Sequence, residues 1–211
     1  MIALNFLGLI ILGYLIGSIP VGFILGKVTR GIDIREHGSG NIGMTNVMRT
    51  IGVKAGVLVF FADMAKGAVA VALAWPIFSS SPEMVAWGQM AGAASAVIGH
   101  SWPVYIGFRG GKGIATGFGA LMVIFWPVGL IAFAIFLAVV GLSRYVSLGS
   151  ILGSLTMLVV MIPFVVYGSE PFAYIVLGLV VVPIVIFRHR DNIRRLFAGT
   201  ESKIGSSRTT K

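Results

Sequence analysis

GIATGFGALMVIFWPVGLIAFAIFLAVVGL, residues 113–142, is an unbroken apolar run with Trp126-Pro127 at its centre. About 20 apolar residues suffice for a helix to cross a bilayer. The run is long for one span and short for two. Proline removes a backbone donor and crowds the preceding turn. The run is therefore either one long, kinked helix or a tight hairpin of two short helices in thin or protein-packed surroundings. The choice decides the fold, because it sets the side of the membrane on which every later loop lies.

Working outward, 2–26, 54–76, 84–101, 148–167 and 171–187 read as further membrane helices. Met1–Gly26 is too long for a signal peptide's apolar core and lacks a basic leader, so it reads as a retained span. With a hairpin at 113–142, Lys27, Arg30, Arg35, Arg49, Lys54, Arg109, Lys112, Arg144 and the cluster from Arg188 onward share one side. The opposite loops then carry only Glu83 and Glu170. A single crossing would move Arg144 across and invert the parity of the Arg188–Arg195 cluster. Cytoplasmic loops collect Lys and Arg. The expected fold is an all-α polytopic membrane bundle of seven transmembrane segments, N-terminus outside and C-terminus cytoplasmic. Residues 1–199 form one transmembrane domain, and 200–211 are a polar tail expected to be disordered.

Composition agrees. The chain is 57% hydrophobic and 11% charged, against about 25% charged in soluble domains, so its solvent is largely lipid. The net charge of +9 fits a cytoplasmic face or an anionic ligand better than a nucleic acid. The absence of cysteine excludes disulfides, thiolate-bound metals and thioester chemistry on the protein.

Three polar features lie on the basic side. Gly38-Ser39-Gly40-Asn41-Ile42-Gly43-Met44-Thr45-Asn46, followed by Arg49, alternates glycines with hydroxyl and amide groups. Glycine lets consecutive N–H groups turn toward an anion. Ser39, Asn41, Thr45 and Asn46 can add donors, and Arg49 adds a charged fork for phosphate. A plain surface turn is the alternative, and the density of donors favours the anion site.

Gly107-Phe108-Arg109-Gly110-Gly111-Lys112-Gly113-Ile114-Ala115-Thr116 looks like a phosphate loop but is not a Walker A sequence. Ile106 stands where the first glycine is required, and Gly113 where Ser or Thr would hold magnesium. The loop leads into an apolar helix, whose free N–H groups beside a lysine suit an anion. The third feature is Arg188-His189-Arg190-Asp191-Asn192-Ile193-Arg194-Arg195. A basic flank ends many final helices, but that leaves His189 and Asn192, three apart and so on one helical face, unexplained.

Smaller signals remain. Asp63 and Lys66 lie inside a span, where ionisable groups are expensive; they are an internal ion pair or a functional pair. Ser147 and Ser150 cap a helix or donate to a ligand. His100 reads as a structural or interfacial histidine. Arg30, Arg35, Arg190, Arg194 and Arg195 do little more than orient the chain.

Two anion sites beside a hydrophobic domain suggest a lipid-headgroup enzyme. The His-x-x-x-x-Asp pair of common acyltransferases is absent: Ile42, Tyr105 and Arg194 follow the three histidines at that distance. Neither a paired-aspartate metal site nor zinc ligands nor a catalytic triad is discernible. The chemistry then suits a substrate that brings its own leaving group. A phosphate transporter with helix-end anion sites and a non-enzymatic scaffold are the rival classes.

Taken together these motifs resemble the bacterial acyl-phosphate:glycerol-3-phosphate acyltransferase family. The resemblance rests on 38–46 with Arg49, on Asp63 and Lys66-Gly67, on Gly99-His100 through Pro103 to Gly110-Gly111-Lys112-Gly113, on Arg144-Tyr145-Val146-Ser147, and on Arg188-His189-Arg190-x-Asn192. These run in family order from about residue 14 to 196, with Asp191 in place of an expected Glu. The resemblance implies acyl transfer from acyl phosphate to the 1-hydroxyl of sn-glycerol 3-phosphate at the cytoplasmic face of a bacterial inner membrane. It implies no metal, cofactor or obligate protein partner. It assigns Ser39, Gly40, Asn41, Gly43, Thr45, Asn46, Gly111 and Gly113 to the acyl phosphate. Arg49, Lys66, Lys112, Ser150, His189 and Asn192 go to glycerol 3-phosphate, with Lys112, His189, Asn192 and Ser150 catalytic.

Overall fold

The computed structural model describes residues 1–168 and 170–205. In chain order the helices are α1 (Ile2–Ser18), α2 (Val21–Arg30), α3 (Met44–Thr50), α4 (Val53–Ala72), α5 (Ala74–Phe78), α6 (Pro82–Ser101), α7 (Ile114–Ser143), α8 (Val146–Val166), α9 (Ala173–Arg188) and α10 (Arg190–Phe197). No strand occurs among the described residues. Four stretches are long and apolar enough to cross a membrane: Ile2–Arg30, Val53–Phe78, Ile114–Ser143 and Val146–Val166. A fifth is added if α9 and α10, bent by 58°, count together.

The decisive run folds back on itself. Helical geometry fails at Phe125 (φ −156°, ψ 86°), just before Pro127. The Phe118 and Phe133 rings then stack with centroids 5.0 Å apart. Fifteen residues of straight helix would separate them by about 22 Å, so α7 is a hairpin, and Trp126 stands 59% exposed at its tip. Its first limb packs on α4, where Gly119 lies against the Met64 carbonyl and Gly67 against that of Thr116. Its second limb packs on α8, where Gly149 and Gly153 face Phe136 and Ala132.

Small residues bring helices this close because lipid offers little hydrophobic drive between them. The rule also explains α6, which is less apolar than a usual span. Gly88, Gln89, Gly92, Ala93, Ala94, Ser95, Ala96 and Gly99 are all buried, so α6 faces protein and not lipid. Gln89 accepts from the Tyr174 hydroxyl of α9 at 2.6 Å. Ser81 caps α6 by accepting from the Met84 N–H, with Pro82 at the first turn.

Two departures from expectation matter. The span 2–26 is broken at Ile19-Pro20, between α1 and α2. Secondly, the segment after Thr200 is not wholly loose. The Ile204 N–H donates to the Arg144 carbonyl (2.8 Å), and Arg144 donates back to the Ile204 carbonyl (2.7 Å). The tail expected to be disordered from residue 200 is therefore packed as far as these contacts reach, while 206–211 lie outside the described residues.

Gly67→Ala would drive a methyl into the Thr116 carbonyl and lower stability by about 1–3 kcal/mol. Gly141, with nothing within 4 Å of a new methyl, is the control. Gly141→Ala leaves stability equal or raises it by up to about 1 kcal/mol. Unfolding midpoints in detergent check both, and equal midpoints for the two variants would refute this packing.

Candidate active site

The first glycine loop is ordered by one side chain. Asn46, 1% exposed, donates its amide to the carbonyls of Ile34 (3.1 Å), His37 (3.0 Å) and Asn41 (2.8 Å). Its oxygen accepts from the Ser39 N–H at 2.7 Å. Asn41 in turn accepts from the Gly43 N–H at 2.8 Å, and Gly38 and Gly40 take left-handed backbone. This corrects the expectation for Asn46, for the Gly43 N–H and for the Gly40 N–H, which donates to His37. They shape the loop and are committed within it. The Ser39 and Thr45 hydroxyls and the Arg49 guanidinium have no hydrogen-bond partner among the described residues, so they keep donors for a ligand.

Arg35 does more than orient the chain. It pairs with Asp33 (2.7 Å), lies over the Phe23 ring and donates to the Ile106 carbonyl at 2.7 Å. It thereby joins the first loop to the second. The guanidinium's hydrogen bond holds the Asp33 carboxyl down at about 2.

The second loop is gripped from two sides. The Gly111 N–H donates to the His100 carbonyl at 2.9 Å, and a side chain at Gly111 would overlap the His100 ring. From the opposite side Arg188 donates to the carbonyls of Gly111 and Gly110, both at 2.9 Å, and lies over the Trp102 ring. The expectation that Gly111 binds phosphate through its N–H is corrected: the group is taken. Gly113, with φ 79°, is the residue from which α7 starts.

Lys112 projects between these supports and donates to the Asn192 side-chain oxygen. Asn192 donates to Glu201 at 2.6 Å, as do Ser147 at 2.7 Å and Arg195 at 2.7 Å. Burial pulls the Lys112 ammonium down to about 8, which leaves it charged at neutral pH and ready to meet an anion. Burial pushes the Glu201 carboxyl up, but the hydrogen bonds from Asn192, Ser147 and Arg195 outweigh it and hold it below its ordinary 4.5.

His189 sits at the bend between α9 and α10, 1% exposed. Its Nδ1 lies 2.8 Å from the Val185 carbonyl. A carbonyl only accepts, so Nδ1 carries the proton and Nε2 is left as an acceptor. Burial, and then the neighbouring Lys112 charge, lower its pKa to about 4. Ser150 is buried on α8 and lines an apolar cavity whose mouth it shares with Gly113 and Val185. Lys112, Asn192, His189, Ser150 and Gly113 are therefore brought together at one place.

Lys66 is not part of that place. It is 5% exposed and bonds to Asp63 (2.8 Å), the Ile19 carbonyl (3.0 Å) and His100 Nδ1 (3.0 Å). An ammonium has three donors, so none is left for glycerol phosphate. The expected ligand is a tie across the Pro20 break. Glu201 and Arg188 are what the sequence reading missed. Each was hidden in a stretch explained otherwise, Glu201 in a polar tail and Arg188 in a basic flank.

A helical membrane bundle that gathers cations above an apolar cavity defines an enzyme working where a charged headgroup meets a lipid chain. The chain belongs to the glycerol-3-phosphate acyltransferase family, whose model matches residues 7–199. A glycerol-3-phosphate acyltransferase of Parasynechococcus marenigrum (strain WH8102) is 44% identical over 97% of this chain and 92% of its own. One from Thermoanaerobacter pseudethanolicus is 45% identical over 95% and 96%. Among solved structures, PlsY (YgiH), an integral membrane glycerol 3-phosphate acyltransferase, superposes in its glycerol 3-phosphate form with TM-score 0.84 at 38% identity. That match covers 95% of this chain and 96% of the other. The lysophosphatidic acid form gives 0.82 at 37%.

The Glu201 tie predicts a pH response. A carboxylate with a lowered pKa stabilises above its ordinary value and loses that contribution as pH falls. Protection factors for hydrogen exchange around residues 198–205, corrected for the intrinsic pH dependence of exchange, should fall below about pH 4.5, the ordinary value, and Glu201→Ala should lower them at neutral pH. Protection factors unaffected by acid or by the substitution would overturn the tie.

Proposed function

We propose that this glycerol-3-phosphate acyltransferase takes its acyl group from an acyl phosphate and delivers it to the 1-hydroxyl of sn-glycerol 3-phosphate. The products are lysophosphatidic acid and inorganic phosphate. The observation that carries the reading is the seating of Lys112, Asn192 and His189 at the mouth of the cavity lined by Ser150. A phosphate held there keeps its acyl chain in the apolar space. Lys112, with Asn192 and the Ser150 hydroxyl, binds phosphate oxygens and stabilises the charge that builds as the acyl–oxygen bond breaks. Ser39, Thr45 and Arg49, together with the Asn41 side-chain N–H groups, offer free donors of the first loop. Gly113, whose φ of 79° and approach to Val97 exclude a side chain, sets the turn from which Lys112 reaches the site.

An acyl phosphate is a mixed anhydride, so no metal or cofactor is needed to expel its phosphate. The 1-hydroxyl oxygen attacks the acyl carbon, the bond to the phosphate oxygen breaks, and the hydroxyl proton passes to the departing phosphate. His189 Nε2 accepts a hydrogen bond from that hydroxyl and aims it. With a pKa near 4, it orients the nucleophile but does not retain the proton. Holding two anions side by side supplies proximity and removes their repulsion.

We also infer seven crossings of a bacterial inner membrane, with the site on the cytoplasmic face and the N-terminus outside. Residues 1–199, with the packed segment after them, act as one domain. The hairpin of α7 supports this count. So does the bonding of the loops at 31–43, 102–113, 143–147 and 189–205 to one another at one end of the bundle.

Purified protein in detergent, given acyl phosphate and glycerol 3-phosphate, should release phosphate and lysophosphatidic acid together; neither product would sink the reading. Lys112→Ala should lower turnover at least about 100-fold, the scale of losing a charge-stabilising donor, while leaving the unfolding midpoint in place. Near-normal turnover would remove Lys112 from the phosphate. For topology, a cysteine at position 81 should react with an impermeant reagent added outside, and protection there would overturn the seven-segment order.

A further inference from the structure

The cavity beneath the site, about 110 Å³ in volume, has a graded wall. Along the first limb of α7, Gly113, Gly117 and Leu121 form one row of the lining, with Ile114 and Phe118 beside it, and along α8 Ser150, Gly153 and Met157 form another, with Gly149 and Ser154 beside it. In each of these rows two small residues lead down to one large one. Eight residues from Gly113 to Leu121 span about 12 Å, and seven from Ser150 to Met157 about 10 Å, so the two large residues lie at one depth. Leu177 of α9 also lines the cavity, two helical turns from Val185 at the mouth, and so joins them there. All three are buried and make a floor.

Gly117 is the telling position. A glycine inside a helix costs about 1 kcal/mol relative to alanine, so it calls for a reason. Left-handed backbone is not the reason, for Gly117 is absent from the positive-φ residues. Close helix packing is not the reason either: a methyl there would meet only Val97 Cγ2, at an ordinary 3.7 Å. Gly153 differs, since its methyl would press the Ala132 carbonyl at 3.1 Å and so serves the α7–α8 contact. What the missing side chain at 117 provides is open space in the middle of the cavity.

We propose that Gly117 and the floor of Leu121, Met157 and Leu177 select the acyl chain. Gly117 lets the chain descend past the middle of the cavity, and the floor limits how far it runs. This rests on the reading that the donor is an acyl phosphate whose chain enters at Gly113 and Ser150.

The test compares kcat/KM across saturated acyl phosphates of graded length, using purified full-length protein and saturating glycerol 3-phosphate. Met157→Ala deepens the floor and should move the optimum to longer chains. Met157→Phe and Gly117→Val should move it to shorter ones. One methylene gained or lost in an apolar pocket changes discrimination by roughly 10-fold or more, so the shift should reach that size. The KM for glycerol 3-phosphate should stay within about twofold, because none of these positions touches the polar cluster; the small factor is well inside the methylene effect. If Gly117→Val does not fold, the opposed Met157 variants decide the matter. Active Met157 variants with the unsubstituted profile would overturn chain selection alone. Failure of the unsubstituted protein to use any acyl phosphate would overturn both this proposal and the reading beneath it.

Discussion

The guanidinium of Arg188, holding the carbonyls of Gly110 and Gly111 while stacked on Trp102, is the contact on which the site depends. The loop it grips has no helical or sheet partner to define it. With His100 behind and Arg188 in front, the Gly-Gly backbone has one available path. That path sets the start of α7, the direction of Lys112 and the position of Gly113 at the cavity mouth. Arginine suits this task because its planar fork reaches two carbonyls at once. Neither carbonyl carries a charge, so the grip does not cancel the local positive field that an anionic substrate meets.

The bilayer imposes a second condition. Backbone groups that leave a helix in lipid must find partners inside the protein. The Pro20 break frees the Ile19 carbonyl, and the Lys66 ammonium takes it. Lys66 is then itself a buried charge, which Asp63 balances and His100 shares. The chain of dependence ends at Gly111, which rests on the His100 ring. An expense inside the membrane thus becomes a support for the loop above it. Breaking one partner of such a cluster leaves an uncompensated buried charge, which is more damaging than removing the whole cluster.

The first glycine loop follows a different logic from the one its composition suggests. Its amides and several of its N–H groups serve the loop itself, with Asn46 as the hub. This leaves few free side-chain donors: two hydroxyls, the Asn41 amide and one guanidinium. A loop already closed on itself has little conformational entropy left to lose when a ligand arrives. That rigidity is worth more to binding than a larger number of mobile donors.

The sequence by itself determined that the chain lies in a membrane, and its charge pattern pointed to the turn within 113–142. Those features follow from solvent preference and charge sign, which residues express singly and in local order. It also singled out Lys112, His189, Asn192 and Ser150, which the fold brings to one place, because glycine and donor spacing near helix ends is a local property. Only the tertiary structure decided which polar groups were free. Asn46 and Lys66 look like ligands in sequence, yet their donors are taken by carbonyls and side chains up to dozens of residues away. Glu201 looks like tail, yet it accepts from α8 and α10. A hydrogen-bonding group carries the same capacity in every setting, and whether a ligand can use it depends on what packing has already brought within reach.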